Sequence, residues 1–469
     1  MKKDYEKMEK IVSLSRRRGF IFPGSELYGG LQNSWDYGPL GTEVKNNIKQ
    51  EWWKRFVHGR SDMVGLDAAL FMNPRVWEAS GHVSGFTDPL VEDKKTHIRY
   101  RADHLLEENG IDSKGLSLKQ MALIIQTKGI MSPDGNELTE PRQFNLMFRT
   151  HIGPVEDDGT IVYMRPETAQ GIFVNFPNIV QTTRKRLPFG IAQIGKAFRN
   201  EITPGNFIFR MREFEQMEIE YFIPAPENDD EWQKYFDEWV TEIRSWLQHL
   251  GVDLANTFEL DVPKEELAHY SKKTIDFEYD FPFGRDELYG LAYRGDFDLK
   301  NHETASGENT KYRDPVAGTE FWPHVIEPSM GVDRTVLAVL CSAYCEEEVP
   351  TSEEGETATR VVMKFPKWLA PVKVAILPLS KKEELVAVAQ NIADDLRTSF
   401  VTEYDETQSI GKRYRRQDEI GTPYCVTIDF ETLEDKAVTV RERDTMRQER
   451  IQITNLKEYI HNGLYKENT

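Results

Sequence analysis

Two spacings of apolar residues organise the chain of 469 residues. Over 198–221 the spacing is two. Phe207, Phe209, Met211, Met217, Ile219 and Tyr221 share one face, which predicts a strand with that face on a core. An incoming strand carries Arg199 and Glu201 on one side. Between the strands, Thr203-Pro204-Gly205-Asn206 reads as a turn, because proline fixes φ while glycine and asparagine tolerate φ > 0. Elsewhere the spacing is helical. Pro39 opens a predicted helix with Leu40, Val44, Ile48, Trp52 and Phe56 on one stripe. Residues 230–250 predict another, with Trp232, Phe236, Trp239, Ile243, Trp246 and Leu250 inward and Gly251 as its stop. A third buries Val332, Val336, Leu340 and Ala343, and in 163–171 Pro166 predicts a helix start that Glu167 favours.

The C-terminal part reads differently. Residues 346–359 are acidic and rich in Ser and Thr, Pro366 and Pro371 follow, and the stretch predicts a linker. Beyond it, 374–377 and 425–428 are apolar runs of buried-strand length with a helix over 383–396 between them, a small α/β unit.

Charge and cysteine content narrow the class. The net charge of −19 argues against general nucleic-acid affinity. From Val372 onward, 15 Lys and Arg face 18 Asp and Glu, so the tail is the less acidic part. It also holds the densest basic cluster, Lys412-Arg413-Tyr414-Arg415-Arg416, either a solvated face or an RNA contact. No apolar run approaches a membrane span, and the charged N-terminus lacks a signal peptide's apolar core. Three cysteines argue against a disulfide framework and fit a reducing cytoplasm. Cys341 and Cys345, four apart on a predicted helix, read as packing and not as a zinc site.

The polar positions carry the candidate chemistry. Arg210, Arg212, Phe214, Gln216, Glu218 and Glu220 form the second face of the 198–221 hairpin. The residues alone leave two readings. One is an exposed salt-bridge ladder. The other is a platform where Phe214 stacks on a base, an arginine clamps phosphate and Glu218 holds an ammonium. Gly290, Ala292 and Arg294 share a strand face that leaves room for a ligand, whereas Glu287 has the opposite parity and needs a bulge or loop to join them. Glu327 and Ser329 face the same way. Arg334, in a first helical turn, stands against the helix dipole, a cost that points to a phosphate partner.

Arg-x-Glu, a loop and then Phe-Arg-x-Arg-Glu-Phe, at 199–214, resemble the second signature of class II aminoacyl-tRNA synthetases. With FEQMEIEYF after them, the chain is similar to single-chain glycyl-tRNA synthetases over essentially its whole length. GLQNSWDYGPLGTEVKNNI resembles the first signature and Glu327-Pro328-Ser329-Met330-Gly331-Val332-Asp333-Arg334 the third, with one glycine where many class II enzymes have several. The resemblance implies an α+β fold. A catalytic core on an antiparallel sheet spans 1–80 and 160–345, an inserted subdomain 81–159, a linker 346–371 and an anticodon-binding domain 372–469. It implies a homodimer through the Pro39 helix, with glycine, ATP, Mg2+ and tRNA(Gly) as ligands, no zinc, no membrane and a cytoplasmic location.

Residue by residue, the resemblance makes Arg199 and Arg334 the catalytic pair, on the α- and γ-phosphates. Glycine would meet Arg101 and Glu167, then Phe214, Glu215, Gln216, Met217 and Glu218, Arg294, and Glu327, Pro328, Ser329, Met330 and Gly331. ATP would meet Arg199, Asn200 and Glu201, then Phe209, Arg210, Met211, Arg212, Glu213 and Phe214. Its remaining contacts would be Glu287, Leu288, Gly331, Val332, Asp333 and Arg334, with Glu287 also taking Mg2+. The implied activity is glycine–tRNA ligation through glycyl-adenylate. The alternative is a catalytically inactive, synthetase-like subunit that binds nucleic acid.

Overall fold

The computed structural model describes residues 3–350 and 356–466. Its largest layer is a seven-stranded sheet. The order is Thr257–Asp261, Lys273–Phe281, Gly284–Gly295, His324–Gly331, Glu213–Ile223, Phe189–Phe198 and Met63–Gly65. Neighbours are antiparallel except the last pair, which is parallel. Side chains alternate across such a sheet. Met217, Ile219, Tyr221, Leu291 and Met330 therefore join one apolar core with the helices Pro39–Trp53, Asp229–His249 and Val332–Ala343. Glu218, Glu220 and Glu327 belong to the opposite parity and are buried as well. The helix Ala169–Thr183 packs near them, its Phe173 and Phe176 against Phe189 and Phe222.

The 198–221 hairpin has more loop than its spacing predicts. The strands pair as Phe189–Phe198 with Glu213–Ile223, and 199–212 is a loop pinched by a bridge between Gly205 and Arg210. Asn206 takes positive φ as expected (56°), and Phe207 follows at 60°. Phe207, Ile208 and Phe209 are all buried, so the alternation fails there. Phe209 sits with its ring 5.1 Å from both Phe281 and Phe283, so the loop folds down onto the core instead of extending as a strand.

Four further expectations change. Val44, Ile48, Trp52 and Phe56 are fully buried within this one chain, so the Pro39 stripe is intrachain core and not a free dimer face. Pro166 does not open a helix; Ala169–Thr183 begins three residues on, and Glu167 precedes it. Cys345 lies on the strand Tyr344–Pro350, beyond the helix that holds Cys341. That strand pairs with Thr357–Met363, so part of the predicted linker is a strand pair, and its residues 351–355 lie outside the described residues. Met363, Phe365, Leu369 and Ala370 then enter the main core, which removes the solvated character a linker needs.

Two smaller units flank this core. In the first, Thr87–Glu92 pairs with Arg99–Arg101 and Arg142–Asn145, and the helices Ala102–Glu108 and Leu118–Lys128 share a separate apolar cluster with it. The second is a five-stranded sheet: Thr402–Tyr404, Val374–Pro378, Tyr424–Ile428, Ala437–Glu442 and Gln448–Gln452. The helix Glu383–Arg397 buries Leu385, Ala389 and Ile392 in its core.

Candidate active site

The 199–212 loop, the strand ends at Glu287 and Ser329, and the first turn of Val332–Ala343 enclose a cleft. It holds about 670 Å³ with its open mouth included. Arg199 is anchored by its Nε, which donates to the Pro166 carbonyl at 3.1 Å. Its guanidinium lies 5.3 Å from the ring centres of both Phe86 and Phe214, a cation–π placement that fixes direction without using up the charge. Arg334, 4.4 Å from the Phe209 ring centre, donates from Nη1 to the Glu287 carbonyl at 2.8 Å and to its carboxylate at 3.0 Å. Glu201, Arg210, Met211, Gln216, Leu288 and Gly331 complete the lining used below.

A bulge settles the parity of Glu287. Phe277 pairs with Tyr289, but Glu278 pairs with Glu287, so Leu288 is passed over. Glu287 thereby joins the side of Gly290, where an added Cβ would lie 3.7 Å from its Oε1. Burial opposes ionisation of Glu287, yet the touching Arg334 guanidinium wins and holds the carboxylate below its usual range. Asp276, in register with Gly290, behaves oppositely. Burial first, then the charges of Glu287 and Glu278, push it up to about 7.

Deeper in, carboxylates converge. Glu218 and Ser329 are register partners, and the Ser329 hydroxyl donates to Glu218 at 2.8 Å. Thr168 donates to the other Glu218 oxygen from its backbone N–H, at 3.1 Å, and from its hydroxyl. Arg294 donates to both oxygens of Glu327 at 2.9 Å and to Asp298 at 2.8 Å, with the Tyr270 ring centre 3.8 Å from its guanidinium. Glu167 accepts from Gln170 at 3.0 Å and lies 3.3 Å from His82 Nε2. Burial works against the Glu167 charge, but His82, Arg294 and Gln170 overcome it and lower its pKa. Burial and the Glu167 charge raise Glu218. A pocket with this surplus of carboxylates suits an ammonium.

Several predicted positions face elsewhere. The side chains of Met217, Pro328, Met330 and Val332 are buried, and Met217, Met330 and Val332 belong to the main core. Asp333 and Glu215 border the cleft, but their charges are engaged by Lys45, and Glu215 also meets Lys49. Asn200 donates its backbone N–H to Leu146, Arg212 reaches the Gln32 carbonyl, and Glu213 is exposed and pairs with Lys196. Arg101 pairs with Asp88 and Asp103 beside a neighbouring hollow shared with Phe209 and Arg210. Sequence reasoning missed Phe86, Thr168, Asp276 and Lys45. Asp298 was missed as well: it pairs with Arg294 across a strand-to-helix junction, where the i, i+4 helix rule does not apply.

The comparisons with known proteins bear on this geometry. Residues 154–344 match the family model "tRNA synthetase class II core domain (G, H, P, S and T)", and residues 373–463 match "Anticodon binding domain". The glycine–tRNA ligase of Alkaliphilus oremlandii (strain OhILAs) is 53% identical over 467 residues, 97% of this chain and 98% of that protein. The glycine–tRNA ligase of Staphylococcus saprophyticus is 53% identical over 463 residues, with the same coverage. The chain belongs to the glycine–tRNA ligase family. It is an aminoacyl-tRNA ligase with a class II core and an anticodon-binding domain, in an α+β fold. These matches give no support to the inactive-subunit alternative. For a glycine–tRNA ligase, the layout puts two arginines and an aromatic ring at the open cleft and the carboxylates behind them.

Proposed function

We propose that the cleft joins glycine to ATP and then to tRNA(Gly), with the residue roles that follow. The glycine carboxylate, ionised at neutral pH, attacks the α-phosphorus; its P–O bond forms as the bond to pyrophosphate breaks. The terminal ribose hydroxyl of the tRNA then attacks the glycyl carbonyl, AMP leaves, and the hydroxyl proton passes to solvent. The first step needs charge stabilisation and alignment more than a general base. Arg199 meets the α-phosphate, Arg334 the γ-phosphate, Phe214 stacks on adenine and Glu201 accepts from its amine. Arg210 and the backbone around Met211, Gly331 and Val332 border the nucleotide. Glu218, Ser329, Glu167 and Glu327 hold the ammonium and crowd the α-carbon, so that any side chain carries an overpacking cost of about 1–3 kcal/mol. Arg101, held by Asp88 and Asp103 beside the adjoining hollow, is the inserted subdomain's contribution to the substrate site.

The Glu287 carboxylate and the neighbouring Asp276 are hard oxygen donors of the kind Mg2+ takes, and they would hold the ion. Bound there, Mg2+ supplies charge neutralisation for the phosphates. The observation that carries the reading is the convergence of Arg199, Phe214, Glu287 and Arg334 on one cleft beside the carboxylates. We assign the enzyme to the cytoplasm as a homodimer. In support of the dimer, Leu27, Tyr28 and Leu31 stand 97%, 93% and 67% exposed on the segment that leads into the Pro39 helix. No helix among the described residues is long and apolar enough to cross a membrane. The C-terminal domain contributes to tRNA binding through Lys412 and Arg415. Arg413 is buried and Arg416 is paired with Asp405, so the basic cluster offers fewer free charges than its sequence suggests. ATP–pyrophosphate exchange with each amino acid tests the proposal. Exchange with serine or alanine but not glycine, or with none, overturns it.

A further inference from the structure

Glu220 stands out in the carboxylate pocket. It is fully buried, and neither of its side-chain oxygens has a hydrogen-bond partner. It offers an oxygen that lies, with one each from Glu218 and Glu327, within 4.8 Å of one another. Every neighbouring carboxylate is supplied with donors. Glu218 accepts from Thr168 and Ser329, Glu327 from Arg294, Asp298 from Arg294 and Gln170, and Glu167 from Gln170. Among the described residues, Arg294 is the arginine hydrogen-bonded to this group of acids, while Arg165 acts on Glu218 from farther off and His82 lies beside Glu167.

We propose that Glu220 is a positioning residue that carries the pocket's spare proton in the unliganded enzyme and releases it when a substrate ammonium enters. The reasoning rests on the glycine-site reading above. Anions without donors are the costliest in a buried cluster, so the shared proton goes to the carboxylate that accepts no hydrogen bond. The groups facing Glu220 are Glu218 on its own strand, Glu327 on His324–Gly331, Arg294 on Gly284–Gly295 and Asp298 on the helix Phe297–Ser306. Burial first, then the Glu327 charge, raise its carboxyl well above the usual range, against the pull of Arg294. An arriving ammonium adds the positive charge that lets Glu220 ionise. The proton leaves to solvent, and the pocket keeps the same net charge empty and filled.

Calorimetric titration of the full chain with glycine, in buffers of different ionisation enthalpy near pH 7, counts the protons. The wild type is expected to release about one proton per glycine, and the glycine KM in pyrophosphate exchange should fall as pH rises, by up to about tenfold per unit. Glu220→Gln should release about none and flatten that slope; Glu220→Met serves if the glutamine variant does not fold. Release retained in both variants, or absent from a wild type that binds glycine, overturns the inference alone. Neither binding heat nor exchange with glycine would overturn the site reading and this inference with it.

Discussion

Arg334 spends its guanidinium on Glu287, donating to that residue's carbonyl at 2.8 Å and to its carboxylate at 3.0 Å. The two groups assigned to phosphate and metal thus form an ion pair with each other. Arg334 uses Nη1 on Oε2 of that carboxylate, so the two groups are coupled through one ion pair, and a change in either alters what the other can offer to phosphate or Mg2+. Glu287→Gln is expected to raise the Mg2+ concentration needed for half-maximal exchange. Arg334→Ala is expected to raise the ATP KM and lower the exchange rate. In the double variant the losses should be less than additive, since each single change frees the other group. Mg2+ and ATP titrations of pyrophosphate exchange read all three.

Arg199 is held by rings as well as by a carbonyl. Arg199→Ala should lower glycyl-adenylate formation by roughly 10²–10³, as loss of a donor to a developing anion does. Phe86→Ala removes one of the two rings beside it and should cost about tenfold, within the range of a desolvated cation–π contact. Single-turnover formation of the adenylate separates these effects from tRNA transfer. Equal rates for Phe86→Ala and wild type would discard the ring's role.

What the sequence revealed follows from how local each signal is. Helices with a long stripe, such as Asp229–His249, were legible because burial repeats along one element. The core face of Met217 and the shared face of Glu327 and Ser329 follow from simple alternation, whereas the pairing of Glu218 with Ser329 joins distant strands and does not. The loop 199–212 was misread as strand because its aromatic residues are buried for a tertiary reason, the packing of Phe209 on Phe281 and Phe283. Leu288, the residue passed over in the bulge, carries no local mark, so the side of Glu287 could be stated only as a condition. The contacts of Phe86 and Lys45 with the cleft join segments more than a hundred residues apart, which no periodicity can report.

Asp333 is a structural acid despite its place in the third signature. It accepts from the Tyr37 hydroxyl at 2.6 Å, from Lys45 Nζ at 3.0 Å and from the Glu215 backbone N–H at 2.8 Å, and it is 3% exposed. Asp333→Ala leaves Lys45 with Glu215 as its remaining partner. Breaking a buried pair in this way costs about 3–5 kcal/mol. The expected outcome is a clearly lower thermal midpoint, with part of the loss recovered by Lys45→Met in the same chain. An unchanged midpoint would show that the carboxylate is free for the nucleotide after all.

His324 gives the fold a pH dependence with a definite sign. Its ring stacks obliquely near Tyr293, whose hydroxyl meets Nδ1, and Asp296 lies 3.7 Å from Nε2. Burial, the largest influence, holds its pKa down to about 4 from the ordinary 6.5, outweighing the pull of Asp296. Between those values the folded chain keeps His324 neutral while the unfolded chain takes up a proton. The contribution to stability is therefore complete above about pH 6.5 and is lost as pH falls toward 4. His324→Gln cannot titrate, so its thermal midpoint should fall less than that of the wild type between pH 7.5 and about 4.5. Parallel curves for the two proteins would mean that the ring charges equally in both states and that its burial contributes no proton linkage.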